Sequence, residues 1–257
     1  MRILFFGDIV GKPGRLILRN RLAALKAEYT ADLVIANGEN ASGGIGLSGD
    51  TMRELFSAGI DLLTSGNHIW KHKEMYNLLN TDERIVRPAN YPAGAPGKGS
   101  LIHTLEDGRK IALLNLLGRT FMDDIDCPFK KADELINAIP DDVVIRILDL
   151  HAEATSEKKA MGFYVDGRVS AVIGTHTHVQ TADAMILDNG TGYLTDAGMC
   201  GVEKSCLGMD PAVIINRFMT GLPQRFKVAK GTAHINGLFM DINDITGRCE
   251  HIALVRE

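Results

Sequence analysis

The chain has 257 residues, of which 45% are hydrophobic and 23% charged, a composition typical of a folded globular protein and unlike that of disordered or fibrous chains. Its formal net charge of −4 provides no positive surface for wrapping duplex nucleic acid or for holding an anionic membrane. The length suits one large hydrophobic core, and we expect a single domain over residues 1–257.

The amino-terminal segment does not resemble an export signal or a membrane anchor. The apolar run from Ile3 to Phe6 is followed closely by Asp8, which makes it far too short for either. The four cysteines include no C-x-x-C pair, so reduced thiols are expected. These features predict a cytoplasmic protein without a membrane partner, and they leave a homo-oligomer open.

Short runs rich in Ile, Val and Leu alternate with segments of helical periodicity. In chain order, the pattern predicts strands at residues 2–6, 32–36, 61–64, 111–116, 143–150, 170–174, 184–187 and 193–195, with helices at 15–28 and 48–58. Ser48 is placed to cap the second helix. Residues 226–228, 234–242 and 248–255 read as closing antiparallel strands. The alternation predicts an α/β fold with a sheet covered by helices on both faces.

Polar side chains follow five of the predicted strands. They are Asp8 after the first, Glu39 and Asn40 after the second, Asn67 and His68 after the third, His151 after the fifth, and His176 and His178 after the sixth. The carboxyl ends of parallel strands share one edge of a sheet, where such folds bind ligands. Asp, Glu, Asn and His offer the nitrogen and oxygen ligands that first-row divalent ions accept. We therefore expect these residues to converge on a metal site.

Each of these residues has an ordinary explanation when it is taken alone. Asp8 could cap a helix, Asn67 could form a turn, and His151 could be a hydrogen-bonded core histidine. His176 and His178 differ, because two rings at positions i and i+2 of an extended segment point to the same side and can chelate. The five positions together favour the metal site.

Three other motifs in the sequence lack the context that their usual functions require. Residues 44–49 match G-x-G-x-x-G, but they do not directly follow a strand as in a dinucleotide-binding turn, and we predict a flexible loop beside the metal site. Residues 7–13 are one residue short of a P-loop. His68 and His72 have the spacing of a zinc-protease motif without its glutamate.

The ordered set Gly7-Asp8, Gly38-Glu39-Asn40, Gly66-Asn67-His68, His151 and Gly174-Thr175-His176-Thr177-His178 resembles the calcineurin-like metallophosphoesterases. Their pattern runs D-x-H, G-D-x-x-D, G-N-H-[DE], H and G-H-x-H. The chain departs from it at Val10, where a histidine ligand is absent, and at Glu39, where a bridging aspartate is usual. With segments 149–155 and 195–201, these departures resemble the YmdB-like bacterial phosphodiesterases over nearly the whole chain.

The resemblance implies a four-layered α/β/β/α sandwich with a two-metal site. By it, Asp8, Glu39, Asn40 and His178 would hold one ion, while Glu39, Asn67, His151 and His176 would hold the other. Two divalent ions, two carboxylates and a bridging hydroxide would leave a net charge of +1 for an anionic phosphate. Such a site suits Fe or Mn, with Zn as a further option. His68, outside both sets, would protonate the leaving oxygen as general acid after hydroxide attack.

The resemblance further implies a small phosphodiester as substrate, most specifically a 2′,3′-cyclic nucleotide. The aromatic residues, 1 Trp, 5 Tyr and 9 Phe, do not cluster near the motifs, so the sequence does not indicate which base is bound. The alternative is a metal-stabilised regulatory protein that binds a nucleotide without turning it over. His68 speaks against it, because a structural site has no use for an unligated imidazole beside the ions.

Overall fold

The computed structural model describes all residues from Met1 to Glu257. The strands are β1 Arg2–Phe6, β2 Asp8–Ile9, β3 Leu33–Asn37, β4 Leu62–Thr64, β5 Ser100–Thr104, β6 Lys110–Leu117, β7 Ile145–His151, β8 Ala171–Thr175, β9 Met185–Ile186, β10 Gly192–Leu194, β11 Met199–Val202, β12 Ala233–His234, β13 Asn236–Ile242 and β14 Cys249–Arg256. The helices are α1 Gly11–Glu28, α2 Gly49–Ser57, α3 Met75–Thr81, α4 Pro128–Ala138, α5 Thr155–Tyr164 and α6 Pro211–Thr220, with a 3₁₀ helix at Asn67–Lys71.

The strands form two main sheets. The first has the order β14-β13-β1-β3-β4, and the second has the order β5-β6-β7-β8-β10-β9. The pairs β1-β3, β3-β4, β6-β7, β7-β8 and β8-β10 are parallel, and the other pairs in these two sheets are antiparallel. A small third sheet has the order β12-β11-β2. The α/β class is confirmed, but the single sheet predicted from the alternation is wrong, because that pattern does not tell which sheet a strand joins.

Alternate side chains of the central strands enter different apolar clusters. Ile3 and Phe5 of β1 lie in one cluster with Leu113 and Ile147 of the second sheet. Leu4 and Phe6 belong instead to a cluster with residues of α1 and α2. A third cluster joins the second sheet to α4 and α5. The chain therefore buries both faces of its central strands, which explains their continuous apolar sequence.

The two helices predicted from periodicity are confirmed, with small shifts of their ends. In α1 the leucines at 18, 22 and 25 are buried on one face, and the helix begins four residues before the predicted start. Ser48 caps α2: its hydroxyl accepts from Thr51 N at 3.3 Å, while Ser48 N donates to Thr51 Oγ1 at 3.1 Å. This reciprocal cap satisfies two backbone groups that the helix leaves unpaired.

One of the predicted closing strands does not form. Residues 226–228 contribute only an isolated bridge between Val228 and Met209. The other two are confirmed as β13 and β14. No helix of the structure has both the length and the apolar character needed to cross a bilayer.

Candidate metal centre

The carboxylates of Asp8 and Glu39 are completely buried, and each residue follows one of two neighbouring strands. Asp8 begins β2 directly after β1, and Glu39 lies two residues beyond the end of β3. All the ion-pair partners of these two carboxylates are imidazoles. A buried carboxylate without a matching cation is strongly disfavoured. A metal cation would meet this demand for positive charge.

Asp8, Asn40 and His178 form a first cluster. Asn40 Nδ2 lies 3.3 Å from Asp8 Oδ1 and 3.1 Å from His178 Nε2. His178 Nδ1 lies 3.1 Å from the carbonyl oxygen of Leu207, which can only accept a hydrogen bond. Nδ1 therefore carries the proton, and Nε2 presents a lone pair to the cluster, as in a histidine ligand.

Glu39, His151 and His176 form a second cluster. His151 Nε2 lies 3.1 Å from Glu39 Oε1 and 3.1 Å from His176 Nδ1. One ligand atom from each of the three residues lies within 4.8 Å of the others, a spacing that could hold a metal ion. Glu39 Oε1 is also 3.3 Å from Asn40 Nδ2. The Glu39 carboxylate thus stands between the two clusters.

Asn67 provides a direct test of whether a cation fits here. Its Oδ1 is buried and has no hydrogen-bond partner. Nearly all buried side-chain oxygens in proteins are paired. An unpaired amide oxygen at the start of the 3₁₀ helix therefore fits a metal ligand better than a structural asparagine.

His68 follows Asn67 and contacts both clusters through one nitrogen. Its Nδ1 lies 2.8 Å from Asn40 Oδ1 and 3.1 Å from Glu39 Oε1. Its backbone N donates to Glu39 Oε2 at 2.9 Å. With 33% of its side chain exposed, His68 lies between the buried carboxylates and solvent. An imidazole held by Nδ1 keeps Nε2 for another partner.

A buried polar network orients His151. Its Nδ1 lies 2.8 Å from Thr175 Oγ1, which donates to Asp149 Oδ1 at 2.7 Å. Asn37 Nδ2 donates to the other oxygen of Asp149 at 3.2 Å, and Asn37 Oδ1 accepts from the backbone N of Glu39 at 3.1 Å. Such contacts behind a ligand fix its ring orientation and tautomer. Sequence reasoning assigned no such role to Asn37, Asp149 or Thr175.

The backbone around the two clusters is unusual at three positions. His176 and His178 have φ values of 99° and 65°, so the extended segment predicted for them is wrong. They lie in a left-handed bend after β8, and each ring joins a different cluster instead of chelating together. At Gly66 an added Cβ would lie 2.3 Å from Glu39 Oε2 and from the His151 ring. Only glycine permits this close approach.

Comparison with known proteins identifies the family. The model of the YmdB-like proteins matches residues 4–255. The chain belongs to the YmdB-like family. The resemblance predicted from the motifs is therefore confirmed.

Individual YmdB-like relatives match over nearly their whole length. A Bacillus subtilis (strain 168) 2′,3′-cyclic-nucleotide 2′-phosphodiesterase is 48% identical over 98% of this chain and 95% of its own. The crystal structure of a hypothetical protein from Thermus thermophilus has a TM-score of 0.94 at 43% identity, covering 100% of this chain and 99% of that one. A novel phosphatase from Mycoplasma pneumoniae also has a TM-score of 0.94, at 38% identity, covering 100% and 93%.

The charges within this YmdB-like site influence one another strongly. Burial opposes the charge on Glu39, but His151 and His68 hold the pKa of its carboxyl well below the ordinary value. Burial likewise opposes protonation of His151, yet Glu39 and Asp8 raise its pKa to about 9. Burial and the charge of His151 lower the pKa of His176 to about 3. Glu39 is thus ionised and His176 neutral at pH 7, the states in which both can bind a metal, whereas metal binding at His151 would release its proton.

A cavity of about 650 Å³ opens beside the two clusters and is lined by Glu39, His68 and His176. Gly43 and Gly44 line it with φ values of 66° and 91°, so the glycine loop lies beside the site as predicted. Such a volume is typical of small-molecule sites.

Three further residues of the cavity were absent from the sequence-based set. Glu153 lies 3.3 Å from His176 Nε2 through its Oε2, and its position two residues after His151 was the available signal. Phe218 and Phe226 also line the cavity. The aromatic residues of the cavity therefore come from outside the motifs. Both phenylalanines lie far from the motifs in sequence, and the fold returns them to the site.

Proposed function

We propose that this protein is a dinuclear metal-dependent phosphodiesterase that hydrolyses small phosphodiesters, with 2′,3′-cyclic nucleotides as its substrate class. The observation that carries the proposal is the convergence of two buried carboxylates and three histidines beside a cavity. The unpaired buried amide oxygen of Asn67, the residue before His68, supports it. The B. subtilis relative supports the choice of substrate class.

The two clusters define the proposed ligand sets. Asp8, Glu39, Asn40 and His178 would hold one ion, and Glu39, Asn67, His151 and His176 would hold the other. Glu39 belongs to both sets because its Oε1 faces His151 and Asn40. The nitrogen and oxygen donors suit Fe or Mn, and also Zn. When bound, such ions supply the positive charge that polarises a phosphate and activates water.

We assign His68 the role of general acid. Its contacts with Asn40 Oδ1 and Glu39 Oε1 direct a proton on Nδ1 toward two acceptors and hold the ring in place. The ring borders the cavity, where Nε2 can give a proton to the departing oxygen of a bound phosphodiester. Protonation matters most for a sugar hydroxyl, which is a poor leaving group as an alkoxide.

The fold supports the finer architecture implied by the family. One apolar cluster lies between the two main sheets, and two others join each sheet to helices. We propose that this arrangement is the four-layered α/β/β/α sandwich of a single domain over residues 1–257. Strand ends from both sheets contribute to the site, since β3 precedes Glu39 and β7 ends at His151.

The test is hydrolysis of 2′,3′-cyclic AMP by protein stripped with a chelator and then reloaded with Mn²⁺ or Fe²⁺. We expect no turnover by stripped protein, recovery on reloading, and a single nucleoside monophosphate as product. A metal-loaded protein that binds the nucleotide in a calorimetric titration and never hydrolyses it would instead be the non-catalytic regulatory protein, and the proposal would be wrong.

A further inference from the structure

Helix α6 carries apolar side chains that no part of the chain covers. None of its residues is buried, and Phe218 and Met219 are 83% and 81% exposed. The helix is held at its N-terminal end instead: the Asp210 side chain caps it by accepting from Ala212 N at 2.9 Å, and Asp210 N donates to Lys227 O at 2.8 Å. An exposed apolar face held in place without packing indicates a binding surface.

The same segment, residues 206–228, is attached to the metal centre. Leu207 O accepts from Nδ1 of His178, so the segment also orients a proposed metal ligand. Its apolar side chains at Met209, Ile214, Phe218 and Phe226 line the same cavity as Glu39 and His68. One cavity therefore combines polar groups suited to a phosphate with apolar, aromatic side chains.

Phe226 has a defined partner on the helix. The Arg217 guanidinium carbon lies 4.9 Å from the centre of its ring, a cation–π contact that limits how the ring can turn. Phe226 is 43% exposed, so ring surface is still available to a ligand. A partly immobilised ring loses less conformational freedom when a flat group stacks on it.

From this continuity we infer that Phe218 and Phe226 form a nucleobase subsite. The inference rests on the proposed function, because the occupant is the base of the cyclic nucleotide whose phosphate binds beside Glu39 and His68. Stacking on an aromatic ring accepts every base, since each has a flat π face. The subsite therefore adds affinity for nucleotides over simple phosphodiesters with little preference between purines and pyrimidines.

The experiment compares 2′,3′-cyclic AMP with glycerol 1,2-cyclic phosphate, which has the same five-membered cyclic phosphodiester but no base. In the metal-loaded enzyme, Phe218→Ala and Phe226→Ala should each lower kcat/KM for 2′,3′-cyclic AMP by about tenfold, chiefly by raising KM. The rate on the glycerol compound should change far less. Phe163→Ala is the matched control, because Phe163 is a helical phenylalanine of α5, 67% exposed and absent from the cavity. Equal losses of kcat/KM on both substrates, or no loss on 2′,3′-cyclic AMP, would overturn the subsite.

Two further readouts separate this inference from its alternatives. If the wild-type enzyme hydrolyses neither compound, the proposed function fails. Calorimetric titration with adenosine 3′-phosphate then still tests the subsite. Equal affinities of wild type and Phe218→Ala for this nucleotide would refute it. Light scattering tests a second copy of the chain as the occupant. Suppose that the wild type is an oligomer, that Phe218→Ala is a monomer, and that the ratio of kcat/KM between the two substrates is unchanged. The α6 face would then be a subunit contact, and the inference would be overturned.

Discussion

His68 and Asn40 are in hydrogen-bond contact, yet the proposed site gives them different tasks. Asn40 Nδ2 points toward Asp8 and His178, within the first cluster. His68 reaches that cluster only through Asn40 Oδ1; it also contacts Glu39 Oε1, and its ring borders the cavity. Removing the His68 ring should therefore leave metal binding unchanged, whereas removing the Asn40 amide should weaken it.

His68→Ala should keep its bound metal and lose about 10²–10⁴-fold in kcat on 2′,3′-cyclic AMP, the usual contribution of a general acid. The loss should be much smaller on bis(p-nitrophenyl) phosphate, because nitrophenolate departs without a proton. Metal analysis and the two rate measurements check this. Equal losses with metal retained would make His68 a phosphate-positioning residue, and loss of metal would make it a ligand.

Asn40→Ala should weaken only one of the two metal sites. An amide is a weaker ligand than the imidazole absent at Val10, so the cluster around Asp8 should already be the looser one. Titration of Mn²⁺ into stripped wild-type protein should give two unequal affinities, and the variant should lower the weaker affinity alone. Asn80→Ala, an exposed asparagine outside the site, is the control. A uniform loss at both sites, or none, would contradict this role.

Asp183 links stability to pH away from the site. Burial opposes its charge, but hydrogen bonds from Thr195 and the Lys159 ammonium at 3.1 Å lower the pKa of its carboxyl to about 2. Because the folded pKa lies below the unfolded one, the stabilisation is complete above about pH 4 and disappears as the pH falls toward 2.

Asp183→Asn should accordingly lower Tm by about 2–4 °C at pH 6, corresponding to about 1 kcal/mol for this partly exposed pair. The difference from wild type should shrink between pH 4 and pH 2. Asp188→Asn, an exposed aspartate without an ion pair, should change Tm little. A difference that is constant down to pH 2 would show that the carboxylate charge is not its origin.

At the scale of elements, helix α5 supports the loop that carries two proposed ligands. Lys158 is fully buried, and its Nζ donates to Asp196 Oδ2 at 2.6 Å. The same carboxylate accepts from Thr177 N at 3.0 Å and from Gly198 N at 2.8 Å. Thr177 separates His176 from His178, and Gly198 O accepts from Asp8 N at 3.0 Å. This buried ion pair thus connects to both ligand clusters through the backbone.

Lys158→Met should destabilise the protein by about 3–5 kcal/mol, because Asp196 would be left buried without its cation. Metal affinity should fall as well, since Asp196 would no longer fix Thr177. Chemical denaturation and metal titration measure the two effects. Lys159→Met is the neighbouring control, with its side chain 48% exposed, and should cost at most about 1 kcal/mol. Comparable effects at 158 and 159 would refute the supporting role.

Elements with a strong period could be predicted from the sequence, and those formed by context could not. The strands β1, β3 and β4 and the helix α1 follow from apolar runs and from the leucine spacing at 18, 22 and 25. β11 escaped prediction because it contains glycine and is formed by pairing with β2 and β12. Residues 226–228 looked like a strand but have only Met209 as a partner at Val228.

The molecule as a whole explains why these polar residues meet and why the geometry of their contacts was not predictable. The prediction assumed one sheet, and the structure has two. The polar residues after β3, β7 and β8 still meet, because the strand ends of the two sheets converge. The bend at His176 and His178 depends on Asp8, whose Oδ2 accepts from His176 N at 3.0 Å. Such a contact between distant residues leaves no pattern in the local sequence. The same holds for Phe218 and Phe226, which line the cavity from a distant segment.

The most direct test of the dinuclear site is the metal content of the Glu39→Gln variant. Glu39 is the carboxylate between the two clusters, so its loss should lower metal binding in both. We expect about two equivalents of metal per chain in wild type. The variant should retain well under half of that and should not hydrolyse 2′,3′-cyclic AMP. Glu106→Gln, in an exposed turn, should match wild type. A Glu39→Gln protein with two full equivalents and unchanged hydrolysis would contradict the bridging role and the two-metal centre built on it.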